Sequence, residues 1–477
     1  MIKTYLELLS KIREKLNFSN EDIALLDKAY LTAERLHSGM KRRSGDNYIV
    51  HPLNVAFILV NIGADVNSIC AALLHDTVED TNYTVEEIKI DFNDAIATLV
   101  NGLTKLTKLD FESREESDAA NIKRNLLSIT KDIRIIYIKL ADRLHNMQTL
   151  DFMPDSRKKA IAFETENIYI PLARHLGLYQ IKDNLQDLCL FYLNNSEYRR
   201  ACAIRKTVEE KYNNDIKLML IDLKKLFVLQ SIPIVLKETI KNPYGIYEEI
   251  QNGKKIEEIQ NLIALKAMVN QLMDCYVALG IIHTNYFPVP NTFTDYIAAP
   301  KYNGYRSINT SVLTPGGKMI QFRIRTNEMD RNNALGIASK WDESMQAKVN
   351  SFNVFSTLLE LNNTEVSNKS FVMEAKEEVL QKTITVKTPK GKSIQLKEGS
   401  TILDFAYSLH TQIGIHASHG TINGIYNDLG TVLKDGDIVY VITDDLLCPN
   451  VAQVNDVSTI LAKRKIREYC RKKKDNE

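Results

Sequence analysis

Two histidines and two aspartates, His51, His75, Asp76 and Asp142, carry the strongest chemical signal in this chain. His51 precedes a proline, His75 and Asp76 are adjacent, and Asp142 lies in the run KLADRLHN (Lys139–Asn146). Two neutral imidazoles and two carboxylates offer a divalent cation a mixed nitrogen and oxygen shell, with positions left for water and a phosphate. That layout suits metal-assisted phosphohydrolase chemistry. The adjacent His-Asp pair is the most telling part, because a packed core seldom places a charged carboxylate beside an imidazole. Glu79 and Asp80 follow one helical turn later. A carboxylate there could orient or deprotonate a water at the metal while another handles the leaving group's proton. The plainer reading of VEDT is helix capping by Asp80 and Thr81. Ahead of His51 stand Lys41, Arg42, Arg43 and Ser44. A solvated basic loop is the ordinary reading of such a run. Its nearness to His51 instead favours a substrate carrying clustered phosphates, which guanidiniums bind well.

These side chains need elements to hold them. Residues 1–195 read as helix after helix, with apolar residues at three- and four-residue spacing in NVAFILVNIG, SICAALLHDTVED, AIATLVNGLTKL and IRIIYIKLADRLHNMQTL. Pro52, Pro154 and Pro171 fall where helices could start or stop. A charged, Leu-rich helix over about 200–230 leads into a mixed α/β region. Its strands are expected in IPIVLKETI, NLIALKAMVN and KMIQFRIRT, with a helix in MDCYVALGII. LNNTEVSNKS (Leu361–Ser370) reads as a linker. A β-rich module follows, with a hairpin around Pro389–Gly391, a helix over TILDFAYSLHTQIG, and turns at Asn-Gly and Asp-Gly pairs.

At 477 residues the chain is too long for a single core. Sixty-one basic against sixty acidic residues give no global footprint for nucleic acid or anionic lipid. Cys70, Cys189, Cys202, Cys275, Cys448 and Cys470 are scattered with no CxxC pair, as expected of isolated thiols in a reducing compartment. The amphipathic start IKTYLELLSKIREKLNF reads as a first helix and no export signal, and no apolar run approaches a membrane span. A cytoplasmic protein is expected.

GDNYIVHP, CAALLHDTVEDT, NGLTKL, IKLADRLHNMQTL and ETENIYIPLARHLGL resemble, in order, the HD hydrolase domain of the RelA/SpoT-homologue family, enzymes of the alarmones ppGpp and pppGpp. The resemblance implies an Mn²⁺-dependent removal of the 3′-pyrophosphate, giving GDP or GTP and ending the stringent response. It makes His51, His75, Asp76 and Asp142 the implied metal ligands and Glu79 and Asp80 the implied water-activating pair. Arg42, Arg43, Ser44, Arg143 and Asn146 become implied substrate contacts, with Lys139 and Thr149 beside them. The ligand set by itself permits Mn²⁺, Fe²⁺ or others.

NPYGIYEEI, NLIALKAMV, DCYVALGIIHTNYFPVPNTFTDYIAAPKYNGYRSINTSV, QFRIRTNEMD and LGIASKW resemble the family's synthetase domain, a nucleotidyltransferase-like α/β unit that transfers pyrophosphate from ATP to GDP or GTP. Such transfer needs Mg²⁺ held mainly by carboxylates. Here Asn261 stands in the slot of one family acid and Gln321 in that of the other, so metal-dependent transfer is expected to be lost. Thr239, Gly245, Glu249, Lys266 and Asn309 also depart from the family pattern, and no second acid is expected nearby. Tyr296, Pro300, Lys301, Asn303, Tyr305, Arg325 and Trp341 keep its outline.

TPKGKSIQLKEGSTILDFAYSLHTQIG resembles the TGS domain, a ubiquitin-like β-grasp module. In the family this module senses tRNA or regulator proteins, so such a partner is implied. His410, His416 and His419 are better read as core or surface histidines than as a metal cluster. The basic end AKRKIREYCRKKK would suit RNA by charge, but resembles the helix that follows TGS, with a solvated face expected. Long members continue into ribosome-binding domains, so ribosome binding is not expected here. The expected organisation is a multidomain chain: an all-α hydrolase domain over 1–195, a linker helix and α/β pseudo-synthetase over 196–360, and a linker over 361–382. The TGS domain would follow over 383–444 and a basic helical tail over 445–477. Three other readings stand beside it: a bifunctional synthetase and hydrolase, a nucleotide-sensing adaptor without turnover, and an HD hydrolase retargeted to another nucleotide.

Overall fold

The computed structural model describes residues 2–106, 132–256, 259, 261–301, 304–336 and 383–476. Asn303, Trp341 and the 361–382 linker lie outside these described residues. The chain divides into two compact units, one holding the helical and α/β parts and a second holding residues 298–304 and 350–477.

The helical part begins with α1 (Tyr5–Lys15) and α2 (Asn20–Leu36). Ser19 and Asp22 close a reciprocal capping box at the start of α2. Three helices then frame the chemistry: α3 (Val50–Asn61), α4 (Val66–Leu74) followed by the short α5 (Thr77–Asp80), and, beyond α6 (Val85–Asp91) and α7 (Asp94–Leu106), α8 (Arg134–Gln148). They pack through Leu53, Leu59, Ile69, Leu73, Ile138 and Leu140, all essentially inaccessible to solvent. Each such side chain contributes about 1.5–3 kcal/mol of burial. Arg134 bridges Asp65, the cap of α4, and Asp132 ahead of α8, fixing the two helix starts to each other. Gly102 lets α7 close on α8: a Cβ there would meet Ile135 Cδ1 at 2.3 Å.

After α9 (Asp155–Glu164) the ladder widens into one π turn, Thr165–Tyr169, before α10 (Ile170–His175). Pro171 explains this, since it lacks an N–H and its ring collides with the carbonyl four residues back. α11 (Tyr179–Leu193) and the 35-residue α12 (Asn195–Leu229) lead into the α/β part.

That part is a five-stranded mixed sheet of order β1-β2-β5-β4-β3, with β1 (Ile234–Ile240), β2 (Ile263–Val269), β3 (Thr294–Asp295), β4 (Ile308–Leu313) and β5 (Met319–Thr326). Only β2 and β5 run parallel. β4 was not anticipated as a strand, since INTSVL has three polar residues in succession and no clean alternation to mark it. One face, carrying Leu265, Ala267, Phe322, Ile324, Ile308 and Val312, forms the core with α12 and α14 (Leu272–Asn285). α13 (Pro243–Gln251) follows β1, and α15 (Asn327–Leu335) follows β5.

In the second unit β6 (Thr383–Lys387) and β7 (Ser393–Lys397) form the expected hairpin, and β8 (Ala417–Ile422) turns into β9 (Ile425–Asn427) through Asn423-Gly424, both at positive φ. β10 (Val439–Thr443) completes a three-stranded sheet with them. The single helix expected over TILDFAYSLHTQIG is two, α16 (Ile402–Leu409) and α17 (Thr411–Ile415). His410 separates them in an extended conformation, with its ring accepting from the Gln412 N–H. The basic tail is α18 (Ile460–Asn476). It is not wholly solvated: Ala462 and Ile466 enter the core beside Leu403 and Ala406. Buried Asp404 accepts from the N–H groups of Ser458 and Thr459 at its start. No helix among the described residues is long and apolar enough to cross a membrane.

Candidate metal centre and phosphate cleft

His51 is the second residue of α3, His75 and Asp76 form the junction between α4 and α5, and Asp142 lies in the middle of α8. Ligating atoms of His51, His75 and Asp142 all lie within 4.8 Å of one another, the one such cluster among the described residues. Asp76 joins them, its Oδ1 3.0 Å from His75 Nε2 and its Oδ2 3.6 Å from His51 Nε2. His51 Nε2 is 3.2 Å from Asp142 Oδ1. Neighbouring donors at about 3–4 Å match atoms that would each bind one ion at about 2.1 Å.

The imidazoles are oriented from behind. His75 Nδ1 donates to the carbonyl of Ala72 at 2.8 Å, which leaves Nε2 facing the acids. That Nε2 is buried and lacks an aligned hydrogen-bond partner despite the nearby Asp76 oxygen. Burial pushes the His75 imidazolium down, yet Asp76 and Asp142 outweigh it and carry it up to about 9. The two carboxylates therefore call for positive charge at this nitrogen, and a divalent cation supplies more of it than one proton. His51 is pushed the other way, down, by its burial. Its Nδ1 sits 2.7 Å from Nδ1 of His145. Burial, His51 and Arg42 drive His145 down to about 3, so it is neutral. Sequence reading missed His145, although it lies three residues after Asp142 on the same helix and so shares its face. It also missed Tyr48, whose hydroxyl donates to Asp76 Oδ2 at 2.9 Å.

The acids are held ionised. Burial raises Asp142, but the Lys139 ammonium 2.9 Å away, with His51 and His75, holds it well below the ordinary carboxylate range. Asn146 donates to its other oxygen at 2.6 Å. Asp76 is likewise held down, against burial, by His75 and His51. The donor set of nitrogens and carboxylate oxygens, with one orphaned buried nitrogen, fits a divalent metal.

Against this cluster lies a cavity of about 450 Å³, within the range of small-ligand sites. Arg42, Arg43, Ser44, Lys139, Arg143, Asn146 and Thr149, every residue expected to touch substrate, line it together with Asp142. A tight turn with Gly45 at positive φ presents Arg42 and Arg43, and Arg42 donates to Asn146 at 3.1 Å. Arg143 is braced by a two-pronged pairing with Glu164, the last residue of α9, at 3.0 Å and by Tyr169, in the π turn, stacked at 4.1 Å. Glu79 and Asp80 are exposed on α5 and are not among the lining residues. The helix-capping alternative falls to Thr81 alone, whose hydroxyl donates to Thr77 O and accepts from Tyr83 N.

Three family models match in succession: the HD domain over residues 29–179, the region found in RelA / SpoT proteins over 238–347, and the TGS domain over 384–443. GTP pyrophosphokinase rsh of Brucella ovis is 36% identical over 99% of this chain and 64% of its own length. Guanosine-3′,5′-bis(diphosphate) 3′-pyrophosphohydrolases of Aquifex aeolicus and Spiroplasma citri are 37% and 33% identical, over 94% and 98% of this chain. The chain belongs to the RelA/SpoT family. It spans 64% to 66% of the length of these three relatives.

In the RelA/SpoT region the two amides are each engaged by a cation. Asn261 Oδ1 accepts from Lys241 at 2.9 Å, and Gln321 Oε1 from Arg323 at 2.9 Å. The expectation of no second acid nearby is corrected: Glu249 lies 2.5 Å from that same Lys241. It is also 2.7 Å from Lys254, and the two lysines hold it low against burial. Among the described residues no carboxylate in this cluster is left for Mg²⁺, so these residues do not fit that ion. Lys266 and Arg325 share Asp330 at 3.3 and 2.8 Å, Thr239 bonds the backbone of Ala264, and Tyr296 packs edge-on to Tyr305. Gly245 sits at the start of α13, where a Cβ would meet Asn242 Oδ1 at 2.8 Å. Pro300 and Lys301 are in irregular chain. In the TGS domain His410 and His419 are exposed and His416 half-buried.

Proposed function

We propose that the helical domain is a divalent-metal pyrophosphohydrolase that removes the 3′-pyrophosphate of ppGpp or pppGpp, yielding GDP or GTP and pyrophosphate, with Mn²⁺ as its ion. The supporting observation is the cleft in which all seven expected substrate-contacting residues meet beside the His51, His75 and Asp142 cluster. The names of the Aquifex and Spiroplasma relatives agree with this substrate and bond. His51, His75, Asp76 and Asp142 would hold the ion, which when bound polarises a phosphoryl oxygen and stabilises negative charge as the bond breaks. Arg42, Arg43, Lys139 and Arg143 bind and orient the phosphates, and Asn146 keeps Arg42 and Asp142 in register. Glu79 and Asp80 receive the proton of the attacking water from the solvent-facing side. Labelled ppGpp incubated with Mn²⁺ tests the reading: pyrophosphate release supports it, and stable ppGpp refutes it.

The α/β domain acts in this reading as a pseudo-synthetase, structural or regulatory, because Asn261 and Gln321 carry no charge. The second reading, residual bifunctional synthesis, would require Glu249 beside Asn261 to be freed from its two lysines. ATP and GDP incubated with the protein decide it, since any labelled ppGpp formed would overturn the loss of synthesis. A tRNA or protein regulator at the TGS domain completes the proposal, and loss of regulation on deleting residues 383–477 would test it.

A further inference from the structure

Two cysteines that sequence spacing sets apart come together in the second unit. Cys448 lies in irregular chain between β10 and α18, and Cys470 is on α18 itself. Tyr469 donates its hydroxyl to Cys448 Sγ at 3.1 Å, and Cys470 Sγ donates to the carbonyl of Pro449 at 3.5 Å. Each thiol therefore rests against the residue next to the other. The surroundings are anchored: His416 Nδ1 donates to Leu447 O at 3.0 Å, and Asp404 accepts from the start of α18. Between the anchors the chain is free to adjust, since Leu446 is 91% exposed. A side-chain rotation and a small shift of this segment bring sulfur to sulfur.

The other four thiols are poorly placed for such chemistry. Cys70, Cys189 and Cys275 are buried, and burial pushes each thiol up, Cys275 to about 11. Their thiolates are accordingly scarce. Cys202 is half-buried on α12, bonded to Tyr198 in the other unit. Cys448 is the one exposed cysteine of the six, so an oxidant in solution meets it first. Tyr407 packs in one cluster with Tyr469 and Cys470. It is 4% exposed, and its hydroxyl has no partner among the described residues. A buried donor left unmade is costly. The sulfur of Cys470 is the acceptor within that cluster once it ionises.

We propose that Cys448 and Cys470 form a modification site, a thiol pair that a hydroperoxide converts to a disulfide. The Cys448 thiolate attacks a peroxide oxygen, the O–O bond breaks, and the leaving oxygen departs as water after taking a proton. Sulfur is thereby oxidised to sulfenic acid. The Cys470 thiolate then attacks that sulfur, the S–O bond breaks, and hydroxide leaves as a second water. Two thiols have lost two electrons and the peroxide has gained them. A dithiol reductant reverses the bond by exchange. The link closes a loop from the exit of β10 through the start of α18, which lowers the entropy of the unfolded tail. It fastens α18 to the core that Ala462 and Ile466 already enter. Nothing in this inference depends on the reading of the helical domain.

The full chain, reduced and then freed of reductant, is titrated with hydrogen peroxide, digested without reduction and read by mass spectrometry. One linked peptide pair is expected, Cys448 to Cys470, separated again by dithiothreitol. Cys470→Ser should stop at the Cys448 sulfenic acid, trapped by dimedone. Cys448→Ser should leave Cys470 reduced at a peroxide dose that links the unaltered protein. Cys448 is exposed, so that variant keeps the fold. Oxidation should raise the Tm of the second unit reversibly in the unaltered protein and in neither variant. Both thiols still free after oxidation, Cys448 oxidised without a link to Cys470, or a bond to another cysteine or another chain would overturn the pairing. An unchanged Tm in the linked protein would overturn the fastening of α18.

Discussion

In the proposed function the helical domain and the α/β domain face the same chemical problem, polyphosphate charge, with opposite inventories. Around α3, α4 and α8 the acids remain, and two imidazoles are oriented beside them by Ala72 O and His145. On the β1-β2-β5 face the cations remain, while the positions that would have held acid are amides occupied by Lys241 and Arg323. A carboxylate and an amide have nearly the same shape, so the fold survives the exchange. Charge does not survive it, and charge decides whether a divalent ion is bound. On the proposed function, metal chemistry in this chain is therefore separable from fold.

The largest expected effects come from making the first region resemble the second. Asp76→Ala and Asp142→Asn should each bring ppGpp turnover to background and release the metal, measured by pyrophosphate production and by metal content after gel filtration. If Asp142→Asn kept both, the contrast drawn between the two regions would break. Glu79→Gln should retain the ion and lose about 10²–10⁴ in rate, the usual worth of a positioned acid or base. His145→Ala should act through orientation: Mn²⁺ affinity should fall about 10–100-fold, seen as a raised Mn²⁺ requirement with kcat largely recovered at saturating ion. A loss of kcat that excess Mn²⁺ does not restore would instead place His145 at the reacting atoms.

Smaller effects test the scaffold. Gly102→Ala forces a Cβ to within 2.3 Å of Ile135, between α7 and the helix that carries Asp142. It should cost about 1–3 kcal/mol as an overpacked contact, read as a lowered Tm. Smallest is Lys237→Ala, which removes one of the three cations, Lys237, Lys266 and Arg323, that register sets abreast on β1, β2 and β5, and should raise Tm slightly. An unchanged or lowered value would say that the row is already neutralised.

The first site was legible where residue type was improbable for its surroundings. An imidazole and a carboxylate at the end of AALL, and an acid inside IKLAD, announce themselves against apolar neighbours. His145 did not, since a lone histidine in a helix is ordinary and its role appears only when α8 lies against α3. The π turn that carries Tyr169 to Arg143 was equally hidden, because a proline marks a helix boundary more often than a widened turn. In the α/β domain the amides could be read one by one. The cationic row could not, as it exists only through the pairing of Lys237 with Lys266 and of Lys266 with Arg323, 57 residues further on. Glu249 was noted as a departure, but its nearness to Asn261 was hidden for the same reason, since Lys241 joins the two across a helix and a turn. The split of the TGS helix at His410 depends on one extended residue whose ring caps the next turn, which periodicity does not register.

The most direct measurement is a paired assay on one preparation: labelled ppGpp with Mn²⁺ in one vessel, ATP and GDP with Mg²⁺ in the other. The account predicts pyrophosphate and GDP from the first, abolished by EDTA, and no labelled ppGpp from the second. Intact ppGpp in the first vessel would contradict it.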